Sequence, residues 1–204
     1  IQLPEYKRFV LGLQERGHEI ALHGVSAGND RREDIIRGFD LFKETFGQYP
    51  TMHVDHSKNV ENIYFGRHRV NSALFRFFYD LYDDRDYQGE DERSAYFWGD
   101  IARDKVKYHR GWYVTELNTL GINRSMPYHD PDHKYVRYWY SVTDGATLGR
   151  FLAQLRAANI QSLKDENGAA ILYTHFGFGF YDKPRNVLNA QFVDVMTRLA
   201  DDED

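Results

Sequence analysis

Three short segments that are predicted as strands end in residues suited to proton transfer or metal binding. His23 ends the first segment, Asp55 and His56 follow the second, and His175 ends the last. Imidazole and carboxylate groups exchange protons near neutral pH and are common ligands of divalent metals. Parallel α/β barrels collect such residues at the carboxyl ends of their strands. We therefore expect His23, His175 and at least one of the two middle residues to line one pocket.

The position of a residue within its segment groups these candidates further. Residues two apart in a strand share a face, which pairs His53 with Asp55 and Tyr173 with His175. A single histidine at a strand end is more often a hydrogen-bonded structural residue than a ligand, but three on successive strands favour a functional site. Three other histidines have no partner that the sequence reveals, and we expect them on the surface: His68, His109 and His133.

The elements that position these residues begin with two helices. Pro4 at a first helical position and Gly17 at the end predict the first helix. Asp30 is placed to cap a second helix, which ends at Gly47. The apolar residues that share one face of the second helix are Ile35, Phe39, Phe42 and Phe46. A chain that opens in this way has the amphipathic helices of a layered α/β fold.

Helices and strands alternate along the remainder of the chain. Further helices are predicted over 71–82, 105–120, 148–155 and 192–199. The predicted strands cover residues 18–23, 49–55, 122–125, 136–142 and 169–175. Alternation of this kind favours a mostly parallel sheet with helical crossovers. No internal repeat or linker interrupts it, so we interpret residues 1–204 as a single domain.

Composition narrows the range of partners. The chain has a net charge of −5, 16 % aromatic residues and no cysteine. No basic stripe indicates nucleic-acid binding, and no apolar run approaches the ~18 residues that a membrane-spanning helix needs. Tyrosine and tryptophan in predicted loops suit stacking on sugar rings, although they also suit packing of a large loop layer. The compartment and the oligomeric state stay open, with the cytoplasm slightly favoured.

Two segments resemble the conserved blocks of the polysaccharide deacetylases, carbohydrate esterase family 4. Residues 17–24, Gly-His-Glu-Ile-Ala-Leu-His-Gly, resemble the block that contains a metal-binding histidine. Residues 171–176 resemble the strand that carries the late catalytic histidine, and residues 42–50 resemble the approach to the block that lines the substrate groove. The resemblance implies an α/β fold of one kind, a distorted (β/α)7-type barrel.

The resemblance also implies a mechanism and its residues. In that family a divalent metal, often zinc, binds the water that attacks an acetyl group on a sugar, with an aspartate as base and the late histidine as acid. On this chain the resemblance makes His23 a metal ligand and His175 the late catalytic histidine. Asn29 or Asp30 is the candidate replacement for the second metal-binding histidine, with Asp30 preferred, and Asp55 is the candidate catalytic aspartate of a rebuilt site. The candidate substrate-binding residues are His53, His56, Asn59, His129 and Tyr173.

The chain departs from the family pattern in three places. Ala27 stands where the second metal-binding histidine is expected, and Val54-Asp55-His56-Ser57 stands in place of the usual groove block. The block with paired aspartates should precede His18 and is absent. Two compatible explanations are a fragment that lacks its amino-terminal part, as the start at Ile1 suggests, and a divergent branch with a rebuilt site. Residues that would rebuild such a site are His53, Asp55, His56, Asn59, His129 and Asp130.

Three functions follow from these patterns. The first is a metal-dependent carbohydrate deacetylase that acts on a surface polysaccharide or its precursor. The second is a non-catalytic carbohydrate-binding relative with a degenerate metal site, which Ala27 favours. The third, an unrelated α/β barrel hydrolase, would be indicated if His23 and His175 lay far apart. Because ligands and a base are missing from the pattern, we expect this chain alone to be nearly inactive.

Overall fold

The structure is a computed structural model, and it is a mixed α/β protein. The described residues are 3–56, 58–70, 72–82 and 85–202. Three residues named above fall outside them: Ile1, Ser57 and Asn71. The helices are α1 (Pro4–Glu15), α2 (Arg32–Phe46), a 3₁₀ helix (Gly66–Arg69), α3 (Ala73–Tyr82), α4 (Gly99–Lys105), α5 (Thr119–Ile122), α6 (Leu148–Gln154), α7 (Ala157–Asp165) and α8 (Ala190–Ala200). The strands are β1 (Met52–His53), β2 (Tyr108–Val114), β3 (Tyr138–Asp144), β4 (Leu172–Tyr173), β5 (Tyr181–Asp182) and β6 (Val187–Leu188).

Four of the strands form one parallel sheet in the order β1-β2-β3-β4. Met52 lies opposite Tyr108 where β1 pairs with β2, and Thr143 lies opposite Leu172 where β3 pairs with β4. β5 and β6 form a separate antiparallel pair. The expected α/β class with a parallel sheet is confirmed, whereas the described strands do not make up a complete (β/α)7 barrel.

Two of the predicted elements are wrong. The pattern predicts a helix over 105–120, but β2 occupies the middle of this segment, where His109 and Gly111 are buried between more exposed neighbours with the two-residue period of a strand. The strand expected over 122–125 is absent, because α5 ends at Ile122 and a turn follows. The side chain of Asn118 caps that short helix and so favours a helical turn there.

The first predicted strand, residues 18–23, is reduced to a single point of pairing. Leu22 forms one isolated parallel bridge with His53. The strand expected over 136–142 is present as β3, shifted by two residues, and the others are shortened to β1 and β4. The segment 18–23 therefore follows the sheet edge without forming a regular strand.

The second helix confirms the predicted apolar face and its end. Its buried residues are Ile35, Phe39, Phe42 and Phe46. Burying each such side chain contributes about 1.5–3 kcal/mol. Gly47 ends the helix with a φ of 78° and donates to the carbonyl of Lys43 at 2.8 Å. The predicted cap is wrong, because Arg31 and not Asp30 is the N-cap, and the Asp34 carboxylate accepts from its backbone N–H at 3.3 Å.

The described chain divides into two compact units. The first unit comprises the described residues of Ile1–Arg110 and His129–Trp139. The second comprises those of Gly111–Tyr128 and Tyr140–Asp204. The core of the second unit contains the buried residues Leu117, Phe151, Leu155, Phe180 and Val195. The helices expected around 148–155 and 192–199 are present as α6 and α8, and they supply much of this core. None of the helices in the described part of the chain is both long enough and apolar enough to cross a bilayer.

Candidate functional site

In the first unit, His23 and His56 lie side by side at the carboxyl end of β1. The backbone of Leu22 donates to the carbonyl of Met52 at 3.1 Å and accepts from the N–H of Val54 at 2.9 Å. This parallel pairing brings the centroids of the two imidazole rings to 5.3 Å. Nδ1 of His23 lies 3.1 Å from the carbonyl oxygen of Val54. Both rings are exposed, so two of the predicted site residues meet at the surface.

Asp55 lies beneath them and is only 2 % exposed. One of its carboxylate oxygens faces the backbone N–H of Ile63 at 3.5 Å, and the other lies 3.4 Å from Nη2 of Arg69. Burial raises the pKa of Asp55 from 3.8 to about 6, while the positive charges of Arg69 and Arg110 oppose that rise. A carboxyl that changes its protonation state near neutral pH has the property required of a general acid or base.

His53 and His109 form a buried pair next to this carboxyl. Their ring centroids are 5.2 Å apart, and Trp98 packs edge-on against His53 at 4.8 Å. Nδ1 of His53 lies 3.8 Å from the Asp55 carboxylate. Burial, with the nearby His109 and other positive groups, lowers the pKa of His53 well below its usual value, and burial lowers the pKa of His109 to about 3. Both rings are therefore neutral at physiological pH, and neither screens the charge of Asp55.

Several nitrogen atoms of this buried cluster lack a hydrogen-bond partner within the described chain. They are Nδ1 of His53, both ring nitrogens of His109, and Nε1 of Trp139. The rings of His109 and Trp139 have centroids 6.2 Å apart, so the unpaired atoms belong to one group. An unsatisfied buried donor or acceptor costs about 1–3 kcal/mol, and native proteins usually meet this need with an ordered water. The cluster thus presents unpaired ring nitrogens close to Asp55.

Arg69 is held firmly at the edge of the same cluster. Its guanidinium donates to the carbonyls of Tyr64 at 3.1 Å and Arg110 at 3.3 Å, as well as to Asp55. The guanidinium carbon also lies 4.3 Å from the ring centroid of Phe65. These contacts keep a positive charge next to the buried carboxyl and limit how far its pKa rises.

Sequence reasoning missed most of this neighbourhood. The expectation that His109 lies on the surface is wrong, because it is 1 % exposed. The mistaken helix over 105–120 concealed the alternating burial of β2, which would have turned His109 inward. Arg69 and Trp139 reach the cluster from segments distant in the sequence, and no local pattern marks them. The period-two alternation at 108–111 is one of burial, and the residue types Tyr-His-Arg-Gly do not show it in the sequence.

Asp30 and Asn59 support the surrounding turns. The two carboxylate oxygens of Asp30 accept from the backbone N–H of Ser26 at 3.0 Å and from its hydroxyl at 2.6 Å. The amide nitrogen of Asn59 donates to the carbonyl of Gly28 and to the Glu61 carboxylate, each at 2.8 Å. Both side chains are buried, and their hydrogen bonds join the loop before α2 to the loop after β1.

These contacts bear on the predicted metal site. Asp30 already accepts a hydrogen bond from Ser26 at each of its carboxylate oxygens, so binding a metal beside His23 would compete with these bonds. Within the parts of the chain that the structure describes, no three His, Asp or Glu side chains are grouped to hold an ion. Zinc sites usually use three or four protein ligands. The donor set predicted from the sequence does not fit zinc, and no chemical step below passes through a metal.

The remaining predicted residues lie in other parts of the two units. In the first unit, Nδ1 of His129 lies 2.8 Å from the carbonyl of Arg137, and its ring is exposed. In the second unit, the hydroxyl of Tyr173 and Nε2 of His175 are 2.5 Å apart. The His175 ring is exposed and contacts the ring of Phe178, with centroids 5.2 Å apart. The pocket expected to unite His175 with the residues of the first unit stays a prediction.

Comparison with known proteins adds no relative. No protein-family model, curated protein sequence or solved structure gives a significant match to the chain. The likeness to polysaccharide deacetylases therefore rests on the sequence of residues 17–24, 42–50 and 171–176. What the fold and the site define is a mixed α/β protein with a buried carboxyl, two neutral histidines and an arginine at the end of a parallel strand.

Proposed function

We propose that the chain is a carbohydrate deacetylase domain, which hydrolyses N- or O-acetyl groups on a surface polysaccharide or its precursor. The observation that carries the proposal is the buried Asp55 at the end of β1, whose pKa is about 6. A catalytic base must be ionised near neutral pH and yet retain affinity for a proton. Strongly perturbed carboxyls of this kind concentrate at active sites.

Asp55 is proposed to act as the base. It accepts a proton from a water molecule as the water oxygen forms a bond to the acetyl carbon. Cleavage of the bond to the sugar nitrogen or oxygen then returns a proton to the leaving group. The resemblance assigns that donation to His175. A positioned acid or base contributes about 10²–10⁴-fold to such a reaction.

Two finer parts of the proposal come from the resemblance. The parallel pairing of β1 with β2 and of β3 with β4 supports a distorted (β/α)7-type barrel, because helical crossovers between parallel strands build that architecture. The zinc dependence that the resemblance implies gains no support from Asp30. Of the exposed histidines, His56 and His23 are the nearest to Asp55 along the chain. Because imidazoles are metal ligands, the experiment below includes a separate series with added metal.

The second candidate function is carbohydrate binding without catalysis. Ala27 cannot bind a metal, and the Asp30 carboxylate closes its own turn by accepting from Ser26. These two observations favour a domain that keeps the fold and binds sugars but does not hydrolyse them. The two candidates differ in whether acetate is released.

The deciding experiment measures acetate release from acetylated chito-oligosaccharides, with and without added zinc or cobalt. The sequence pattern lacks a base and predicts a nearly inactive chain; with Asp55 as the proposed base we instead expect the chain to release acetate, and Asp55→Asn to lose about 10²–10⁴-fold in rate. Asp91→Asn is the matched control, since this carboxyl is exposed and pairs with Arg93. Thermal unfolding of each variant separates loss of chemistry from loss of fold.

The outcomes distinguish the two functions. Turnover that survives Asp55→Asn at the level of the control contradicts the assigned base. No acetate in any metal arm, together with sugar binding detected by NMR titration, contradicts the deacetylase and supports the carbohydrate-binding domain. Release only with added metal would show that the chain assembles a metal site and would support the metal dependence that the resemblance implies.

A further inference from the structure

A cleft of about 470 Å³ opens in the first unit, lined by cationic and aromatic side chains. Tyr64 and His133 form its inner wall, with ring centroids 4.3 Å apart. Arg67 from the 3₁₀ helix and Arg76 from α3 line the same cleft. Its volume suits a group the size of one sugar ring. None of these residues was assigned a role from the sequence.

The two arginines are anchored by contacts that leave most of their donors unused. Nη1 of Arg67 lies 3.3 Å from the Asp80 carboxylate. Arg76 donates from Nε to the carbonyl of Val70, which holds its stem against the end of the 3₁₀ helix. A guanidinium has five N–H donors in a planar fork, which matches the two oxygens of a carboxylate or phosphate. Both side chains are therefore suited to receive an oxyanion from solvent.

The two histidines that line the cleft, His68 and His133, are held by carboxylates. Nδ1 of His133 lies 3.2 Å from Asp130, and its Nε2 lies 3.0 Å from the carbonyl oxygen of His68. Nδ1 of His68 lies 2.9 Å from Glu90, whose other carboxylate oxygen accepts from the backbone of Tyr64 at 3.2 Å. These contacts fix the orientation of both rings before any ligand arrives, which lowers the ordering cost of binding.

The acidic residues of the lining decide between classes of anion. Asp86 and Asp132 face the same cleft as the two arginines. A polyanion such as nucleic acid would be repelled by these carboxylates. A charged sugar complements both the positive and the negative side chains of the lining. Its oxyanion binds a guanidinium, while its hydroxyls donate to an aspartate.

We propose that this cleft binds a sugar that carries an oxyanion, either the carboxylate of an acidic sugar or the phosphate of an activated one. Arg67 and Arg76 bind the oxyanion, and Tyr64 and His133 form the wall against which the ring lies. That the ligand is a sugar rests on the proposed function, whereas the binding of an oxyanion does not. The substrate of the domain is then a charged carbohydrate.

The test is a binding titration of the full chain by NMR, with glucuronic acid, glucose 1-phosphate, glucose and inorganic phosphate as probes. At least one charged sugar should bind about tenfold or more tightly than glucose, and added salt should weaken it. The double variant Arg67→Gln, Arg76→Gln should lose at least about tenfold in that affinity. Arg93→Gln is the matched control, an exposed arginine that pairs with Asp91 outside the cleft.

Each outcome decides a different part. Glucuronic acid binding in preference to glucose 1-phosphate indicates a carboxylate, and the reverse indicates a phosphate. Equal affinity for glucose and the charged sugars, or no loss in the double variant, overturns the proposal. If inorganic phosphate binds as tightly as glucose 1-phosphate, the cleft binds an oxyanion but does not recognise the sugar, and the sugar part of the proposal is overturned. Because the titration requires no hydrolysis, a chain that binds the charged sugar without releasing acetate contradicts only the deacetylase. Thermal unfolding confirms that the double variant is folded.

Discussion

The two units hold their histidines in different surroundings. In the first unit His53 and His109 are buried among tryptophans, and in the second unit His175 is exposed with its Nε2 beside the Tyr173 hydroxyl. Burial removes the water that would stabilise an imidazolium, so the pKa of His109 falls to about 3. Solvent reaches the ring of His175. Two histidines that look alike in the sequence, each in or beside a strand, therefore differ in their chemistry because of desolvation.

The largest expected effect is acid destabilisation that centres on His109. An unfolded histidine binds a proton below about pH 6.5, whereas folded His109 does so only near pH 3. Between these values the unfolded state alone is protonated, so stability is complete above pH 6.5 and is lost as the pH falls, by up to about 5 kcal/mol. Replacing His109→Leu should flatten this dependence in urea unfolding curves recorded from about pH 7 to about pH 4.

The control for this comparison is His175→Gln in the second unit. Because that ring is exposed, its replacement should cost only its contact with the Tyr173 hydroxyl, about 0.5–1.5 kcal/mol in the free energy of unfolding. Asp55 acts with the opposite sign, since its pKa is raised and its contribution falls as the pH rises from about 3.8 to about 6. A protein that grows steadily more stable on acidification would contradict the dominance of the histidines.

The second prediction concerns the pH dependence of acetate release. A base acts in its ionised form, so the rate should rise with pH and reach half of its plateau near pH 6, where Asp55 titrates. Asp55→Asn should remove this acidic limb together with most of the rate. Asp91→Asn should retain it, because that carboxyl is exposed and its pKa is lowered by Arg93. A half-maximum unchanged in Asp55→Asn would assign the limb to another group.

The smallest expected effect is that of Tyr173→Phe in the second unit. The change removes one hydroxyl contact to an exposed His175, which is worth about 0.5–1.5 kcal/mol. The equilibrium constant for unfolding and the rate of acetate release should therefore each change by less than about tenfold. Chemical unfolding and the acetate assay measure these quantities. A rate loss as large as that of Asp55→Asn would make the Tyr173–His175 pair an equal partner in the reaction.

Elements that depend on neighbouring residues were predictable from the sequence. The apolar stripe of α2 and the end of that helix at Gly47 follow from helical spacing and from a φ of 78° that favours glycine. β2 was not, because its alternation is one of burial, which packing sets and the order of residue types does not show. The hydrogen bonds of Asp30 to Ser26 were likewise not anticipated, and the metal role of Asp30 stays a prediction.

The sequence by itself determined the α/β class, the amphipathic helices and the presence of His23, Asp55 and His56 near the ends of adjacent segments. Tertiary structure alone decided that His109 lies between His53 and Trp139, and that Arg69 contacts the carboxyl of Asp55. The physical reason is that a pKa depends on desolvation and on charges brought close by folding. Residue type records neither of these, because both arise from segments that are distant along the chain.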